Sequence, residues 1–390
     1  MKPSENPLGS EPVSTLLRRF AVPSVIAMLV SALYNMVDQL FIGHSIGVLG
    51  NAATNVAFPL SMVCTSIGLL CGIGGAANFN LCMGRREPEH AKSYVGNAIS
   101  MLAILGVILC VAVQLFLRPM MLLFGATPDV IDYACTYTRI TSIGFPFLIV
   151  TIGGSNLIRA DGSPKFSMLC NLVGAIVNTI LDPLFIFVFE MGIAGAALAT
   201  ALSQLVSFLI LGWQFLHGRS IVRLRLQAVS RSPRDYGQIL LIGFPTICRQ
   251  GFASLSSALL NNAAAAYSDA AVAAVTISNK VYLLVRSMII GIGQGFQPVA
   301  GYNFGAGSKP RTRQAFWFST LFGTVVCVAG AALIALFPEQ IMHFFRDDPE
   351  VTRIGRQALL YACAVMPVMA YSTYVNQLYP VSYTHLTLPT

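Results

Sequence analysis

The sequence predicts an all-α polytopic membrane protein, and three observations carry that prediction. The chain is 55% hydrophobic and only 10% charged, with a mean hydropathy of +0.69; a soluble domain carries about 25% charged residues. Its apolar residues gather in ten long runs, and roughly 20 apolar residues suffice to cross a hydrocarbon core of about 30 Å. The connections between runs are short, so neighbouring helices are antiparallel and packed. Open irregular backbone is excluded from lipid, and a β-barrel would need short alternating segments instead of continuous runs.

The spans cover residues 20–42, 52–83, 95–117, 131–158, 166–189, 193–216, 239–266, 271–304, 315–337 and 352–379. The first starts after Arg18-Arg19, is too long for a signal-peptide core and lacks an evident cleavage site. The second carries Gly72-Ile73-Gly74-Gly75 and ends on Gly84-Arg85-Arg86. Span 8 carries Gly291-Ile292-Gly293-Gln294 in the matching place. These glycines superficially resemble phosphate-binding loops, but inside membrane spans they predict close helix approach. Nine cysteines are scattered singly with no CxxC pair and read as small apolar residues. The five histidines show no ligand spacing, so no structural metal is expected.

Span 5 holds Asn178-Thr179-Ile180-Leu181-Asp182-Pro183. An acid in hydrocarbon costs a few kcal/mol at least, a cost tolerated when the acid faces an interior cavity and has a function. Asn178 and Asp182 are four apart and share one helix face. Pro183 has no N–H, which frees the Thr179 carbonyl and bends the helix. A carboxylate, an amide oxygen and a freed carbonyl suit a proton or a small hard cation. The one other acid deep in a span is Asp38, in span 1. We expect the two to form one site. Paired carboxylates cannot easily both stay ionised, so such a pair can load a proton on one side and release it on the other.

Basic residues set the orientation. With the N-terminus in the cytoplasm, the inner segments hold Lys2, Arg18, Arg19, Arg85, Arg86, Lys92, Arg159, Lys165, Arg219, Arg223, Arg225, Arg231, Arg234, Lys309, Arg311 and Arg313. The outer segments hold only Arg118, Arg346, Arg353 and Arg356. The bias explains the net charge of +8 without a nucleic-acid partner.

The chain repeats itself. Pro23 in Phe20-Ala21-Val22-Pro23 and Pro245 in Ile242-Gly243-Phe244-Pro245 stand 222 apart, as do Thr54 and Thr276. The unit is about six spans, so both copies share one orientation about an axis along the membrane normal. This divides the chain into an N-terminal lobe, 1–217, a basic cytoplasmic linker, 218–235, and a C-terminal lobe, 236–380. The second copy has four of six spans, and the chain reads as truncated after its tenth. The polar stretch 381–390 is expected to be a non-helical tail of foreign character.

These residues resemble the multidrug and toxic compound extrusion (MATE) family, in its bacterial DinF-like branch. The resemblance rests on Tyr34-Asn35-Met36-Val37-Asp38 with Phe41-Ile42-Gly43, on the span 5 motif, and on Gly295-Phe296-Gln297-Pro298 with Tyr302-Asn303-Phe304-Gly305-Ala306 closing span 8. It covers about residues 15–380 and implies a two-lobe bundle, a central cleft and drug export driven by H⁺ or Na⁺ across the bacterial inner membrane. The family's cation site falls on Asp38, Asn178, Asp182 and Thr200, with Asn156 joining them. Span 7 has no acid, which places coupling in the first copy. The expected substrate-facing residues are Tyr34, Asn35, Tyr137, Arg249, Gln250, Gln294 and Gln297. Aromatics and methionines such as Tyr34, Tyr137, Met36 and Met288 offer a soft surface to flat cations. Arg249 and Arg286 either line the cleft or bond neighbouring helix ends. A monomer is expected, without cofactor and with small organic compounds and the lipid bilayer as its partners.

No nucleophile, base and acid come together in a water-accessible segment, so the chain does not read as an enzyme. The alternative within a related fold is a lipid-linked oligosaccharide flippase, which would gather several buried basic residues around one cavity. A passive channel or scaffold is a third possibility.

Overall fold

The computed structural model describes residues 6–217, 232–345 and 348–382. The first half comprises α1 (Pro7–Ser10), α2 (Val13–Ile46), α3 (Val48–Gly84), α4 (Pro88–Leu115), α5 (Leu117–Leu123), α6 (Ile131–Ile143), α7 (Phe145–Ala160), α8 (Pro164–Pro183) and α9 (Gly192–His217). The second comprises α10 (Pro233–Tyr267), α11 (Asp269–Gly305), α12 (Lys309–Leu336), α13 (Pro338–Phe345) and α14 (Pro349–Ser382). No strand forms among the described residues. Nine of these helices are long and apolar enough to cross a membrane. A tenth span results when α6 and α7, which meet at 53°, are counted as one. The ten predicted spans all have a helical counterpart.

Prolines mark many of the boundaries. Pro88, Pro164, Pro233, Pro338 and Pro349 each open a helix, where the missing N–H would have no partner anyway. Pro146 lies at the bend between α6 and α7, where its ring and missing donor interrupt the ladder. Beyond Pro183 the chain continues as a π-helical turn, Leu184–Val188. Pro183 cannot donate, and the ladder re-forms one residue wider; the Phe189 amide bonds the Leu184 carbonyl at 3.0 Å.

Of the basic linker, 218–231 lie outside the described residues, and its last residues open α10 from Pro233. One expectation is corrected here. Val381 and Ser382, expected in a non-helical tail, continue α14, because Pro380 removes only its own donor. Residues 383–390 lie outside the described residues.

By internal packing the chain divides into two compact units. One is Val30–Ile247, and the other combines Met1–Leu29 with Cys248–Thr390. Both cuts fall inside the first helix of a copy, α2 and α10, shortly after Pro23 and Pro245. These units follow packing, whereas the expected lobes, 1–217 and 236–380, follow chain order.

Within the Val30–Ile247 unit the core centres on Leu60, Phe79, Leu102, Met121, Ile149 and Leu157. Within the other unit it centres on Ile289, Met342, Leu359, Met366 and Tyr374. Hydrophobicity does not drive helices together in lipid, so close packing must. A Cβ on Gly72 would stand 2.6 Å from the Gly153 Cα, and one on Gly291 would stand 2.6 Å from the Val25 Cα. The span glycines therefore allow backbone to approach backbone, as predicted. Large apolar side chains such as Leu115, Leu123 and Phe344 point outward.

Candidate functional site

Four helices of the Val30–Ile247 unit bring the expected polar residues together. α2 supplies Asp38 and Tyr34, α6 supplies Tyr137, α8 supplies Asn178 and Asp182, and α9 supplies Thr200. Their apolar neighbours hold them in place: Ile42, Ile186 and Ala196 form a buried cluster with Phe41 and Tyr137 packed against it. Phe41 meets Phe187 edge-on at 6.3 Å. Ile186 and Phe187, which meet α2 here, both lie in the π-helical turn after Pro183.

The Asp38 and Asp182 carboxyls are within hydrogen-bonding reach of each other. Asp182 is fully buried and Asn178 nearly so. The Asn178 side-chain amide donates to Asp182 Oδ1 at 3.3 Å, the one-turn contact that their spacing predicts. Asp38 Oδ1, Asp182 Oδ2 and Asn178 Oδ1 are buried and receive no hydrogen bond from any described residue. Buried acceptors of this kind are normally satisfied. A proton shared between the carboxyls, or a cation among the oxygens, supplies what they lack.

Tyr34 and Tyr137 lie close enough to both carboxyls to feel their charge. The Tyr137 hydroxyl is within hydrogen-bonding reach of Thr200, whose own hydroxyl donates to the Ala196 carbonyl at 3.0 Å. Asn35 is exposed and donates to the Ser31 carbonyl at 2.6 Å. Thr200 thus meets the acids through Tyr137.

Asn156 does not join this group. Its amide donates to the Ile152 carbonyl at 2.9 Å, and its oxygen accepts from Arg159 Nη1 at 3.3 Å. Arg159, itself buried, also donates to Ser167 at 3.3 Å. Ser167 precedes Asn178 by eleven residues, roughly 16 Å along α8. A guanidinium one turn away captures the amide that was expected at the acids.

The remaining expected residues belong to the other unit. Arg249 and Gln250 are half-buried on α10, with Arg286 close enough to Arg249 to repel it. Gln294 and Gln297 are half-buried on α11. Gln294 Nε2 reaches the Met28 sulfur at 3.8 Å, while its Oε1 is buried without a donor. Gln377 on α14 shares that condition and packs its side chain over Gly293. Gln377 was not among the expected residues; its signal in the sequence is an amide inside an apolar span. Arg139, in the Val30–Ile247 unit, and Lys280, in the other, are both exposed.

The family model described as MatE matches residues 23–184 and again 245–379. This chain belongs to the MATE family. The two matched stretches begin at Pro23 and Pro245, the prolines that define the repeat. Among curated relatives, the multidrug export protein MepA of Staphylococcus saprophyticus is 26% identical over 341 residues, covering 86% of this chain and 74% of that protein. The FAD transporter of Shewanella oneidensis is 24% identical over 377 residues, covering 95% and 83%. A crystal structure of a MATE protein in complex with MaD3S superposes with a TM-score of 0.92 at 22% identity, covering 99% of this chain and 87% of that one. An outward-facing multidrug resistance MATE transporter of the MOP superfamily gives 0.91 at 23% identity, with the same coverage. These structures share the fold. The chain is therefore a membrane transporter of the multidrug efflux family and not an enzyme.

Proposed function

We propose that this MATE protein is an antiporter of the bacterial inner membrane that exchanges a coupling ion, H⁺ or Na⁺, for organic and often cationic compounds. Asp38 and Asp182 hold the ion, with Asn178 fixing Asp182, and Thr200 acting through Tyr137. The observation that carries this reading is the set of three buried acceptor oxygens with no donor. An ion can shift a transporter between inward and outward states only by binding them with different affinity. A carboxyl pair whose spacing changes between states provides that difference. Tyr34 and Tyr137 beside the acids would offer aromatic faces to a cationic drug, so that ion and drug compete for one locus. The N-terminus faces the cytoplasm on the bias of basic residues.

The test is counterflow in proteoliposomes, with pH and Na⁺ gradients imposed separately. Drug accumulation under one gradient and its loss in Asp182→Asn support the reading. Equal accumulation without any gradient overturns it.

The close pair Arg249 and Arg286 favours a second reading, an anionic substrate such as the flavin dinucleotide of the Shewanella relative. FAD accumulation in the same vesicles, lost in Arg249→Gln, would select it.

A further inference from the structure

Apart from the acid pair, one cluster of metal-ligating side chains comes together among the described residues, where α3 ends and α4 begins. The Glu87 amide bonds the Cys82 carbonyl at 2.9 Å, and the Arg86 amide bonds the Met83 carbonyl at 3.2 Å. This paired closure ends a helix when one residue turns left-handed. Arg86 is that residue, at φ 65°, a conformation that glycine adopts freely and an L side chain does not. The closure folds Glu87 back beside Cys82. Glu87 then precedes α4 as its N-cap, and His90 follows three residues on. The Cys82 thiol, a Glu87 carboxylate oxygen and a His90 ring nitrogen all lie within 4.8 Å of one another.

The imidazole is held from two sides. Its ring stacks on Tyr94 with centroids 4.9 Å apart. Its Nε2 lies 3.4 Å from Oδ1 of Asp235, in the first turn of α10. That leaves Nδ1 facing Glu87, 3.9 Å from Oε2. A ligating histidine commonly gives its other ring N–H to a carboxylate, which fixes tautomer and orientation. Asp235 stands in that position.

The second copy makes the same turn with other chemistry. Ser308 bonds the Asn303 carbonyl at 2.9 Å and Gly307 the Phe304 carbonyl at 3.0 Å, with Gly307 at φ 72°. Asn303, Ser308 and Arg311 there replace Cys82, Glu87 and His90. Arg311 Nε donates to Asn303 Oδ1 at 2.9 Å, so this turn satisfies itself through a fixed cation. The first copy has a thiol, a carboxylate and an imidazole where the second has that closed bond.

We infer that Cys82, Glu87 and His90 bind a divalent transition-metal ion of the zinc type, with Asp235 positioning His90. Thiolate and imidazole donors select zinc over magnesium or calcium. Donors around a tetrahedral zinc stand roughly 3.3–3.8 Å apart, inside the 4.8 Å that spans the three here, so binding draws the exposed Glu87 side chain inward while Asp235 keeps His90 in place. Binding releases the thiol proton. Three protein donors leave one position for water, so the ion exchanges with solution. Bound, it fastens the α3–α4 turn, through His90 and Asp235, to the first turn of α10.

The test is a Co²⁺ titration of the reduced, full-length protein in detergent, read by thiolate-to-cobalt charge-transfer absorption. Wild type gives the band at one ion per chain, and Zn²⁺ displaces it. Cys82→Ser abolishes the band, Glu87→Gln and His90→Gln weaken binding, and Asp235→Asn weakens it by about 10–100-fold. Should Cys82→Ser fail to fold, the exposed Glu87→Gln decides. The inference is overturned by a band that persists in Cys82→Ser, by none in wild type, or by wild-type affinity in Glu87→Gln.

Discussion

Asn178 donates its side-chain amide to Asp182 across a single turn of α8, at 3.3 Å, and no other described residue donates to that carboxyl. A second acid, Asp38, faces the same carboxyl from α2. The site therefore has one neutral donor for two acids, and is built for a guest with positive charge.

Asp182→Asn replaces the buried acid by an isosteric amide. Ion-driven export should fall to the background of vesicles lacking the protein, while membrane insertion and expression stay at wild-type levels. Export at wild-type rate would remove Asp182 from the coupling site. Asp38→Asn should behave alike, and the double variant should be no worse than either single one, because groups acting as a unit are non-additive.

Asn178→Ala leaves Asp182 without its donor. An unsatisfied buried polar group costs about 1–3 kcal/mol. The variant should melt at a lower temperature than wild type in detergent, and a saturating coupling ion should recover part of the loss, since a ligand of the native state stabilises it. A melting point unchanged in both conditions would show that the amide contributes nothing to the pair.

Gly72→Ala pushes a methyl group against the Gly153 backbone, which cannot rotate away as a side chain can. Overpacking of this kind costs about 1–3 kcal/mol. Gly212 is the control, because nothing lies within 4 Å of the Cβ it would gain, and Gly212→Ala should be neutral or stabilising by up to about 1 kcal/mol. Thermal unfolding of the two purified variants compares them directly; equal shifts would mean that the α3–α7 approach is looser than 2.6 Å implies.

Most of the fold was legible because lipid removes ambiguity: an apolar run of span length has one viable backbone. The acid pair was legible for the same reason, since Asp38 and Asp182 stand out against hydrocarbon. What stayed hidden depends on sideways contacts. Asn156 lies in a span like Asn178, but sequence does not show that Arg159, one turn later, takes its oxygen. The bend at Pro183 was predicted, whereas the π-helical turn that absorbs it, and contains Ile186 and Phe187, was not. Cys82, Glu87 and His90 match no ligand spacing, because the left-handed Arg86 joins them across a helix end and not along one face.

Arg311 shows how the second copy's turn anchors the start of the chain. Its Nη2 donates to the Glu11 carbonyl at 2.6 Å, and its Nε donates to Asn303 Oδ1. Asn303 in turn donates to the Leu8 carbonyl at 3.0 Å. With a longer bond from Nη2 to the Leu8 carbonyl at 3.4 Å, three bonds converge on residues 8–11, and the two from the charged guanidinium are worth about 1.5–3 kcal/mol each at most. Arg311→Ala should raise amide exchange in the peptide spanning residues 6–17 by about tenfold or more, the effect of 1.4 kcal/mol, and leave exchange in α8 and α9 unchanged. Arg311→Lys should rescue little, because one ammonium cannot hold both acceptors in the fixed geometry of the guanidinium. Hydrogen exchange read by mass spectrometry separates these outcomes, and unchanged exchange at residues 6–17 would show that the buried Leu8, Leu16 and Phe20 hold the segment without Arg311.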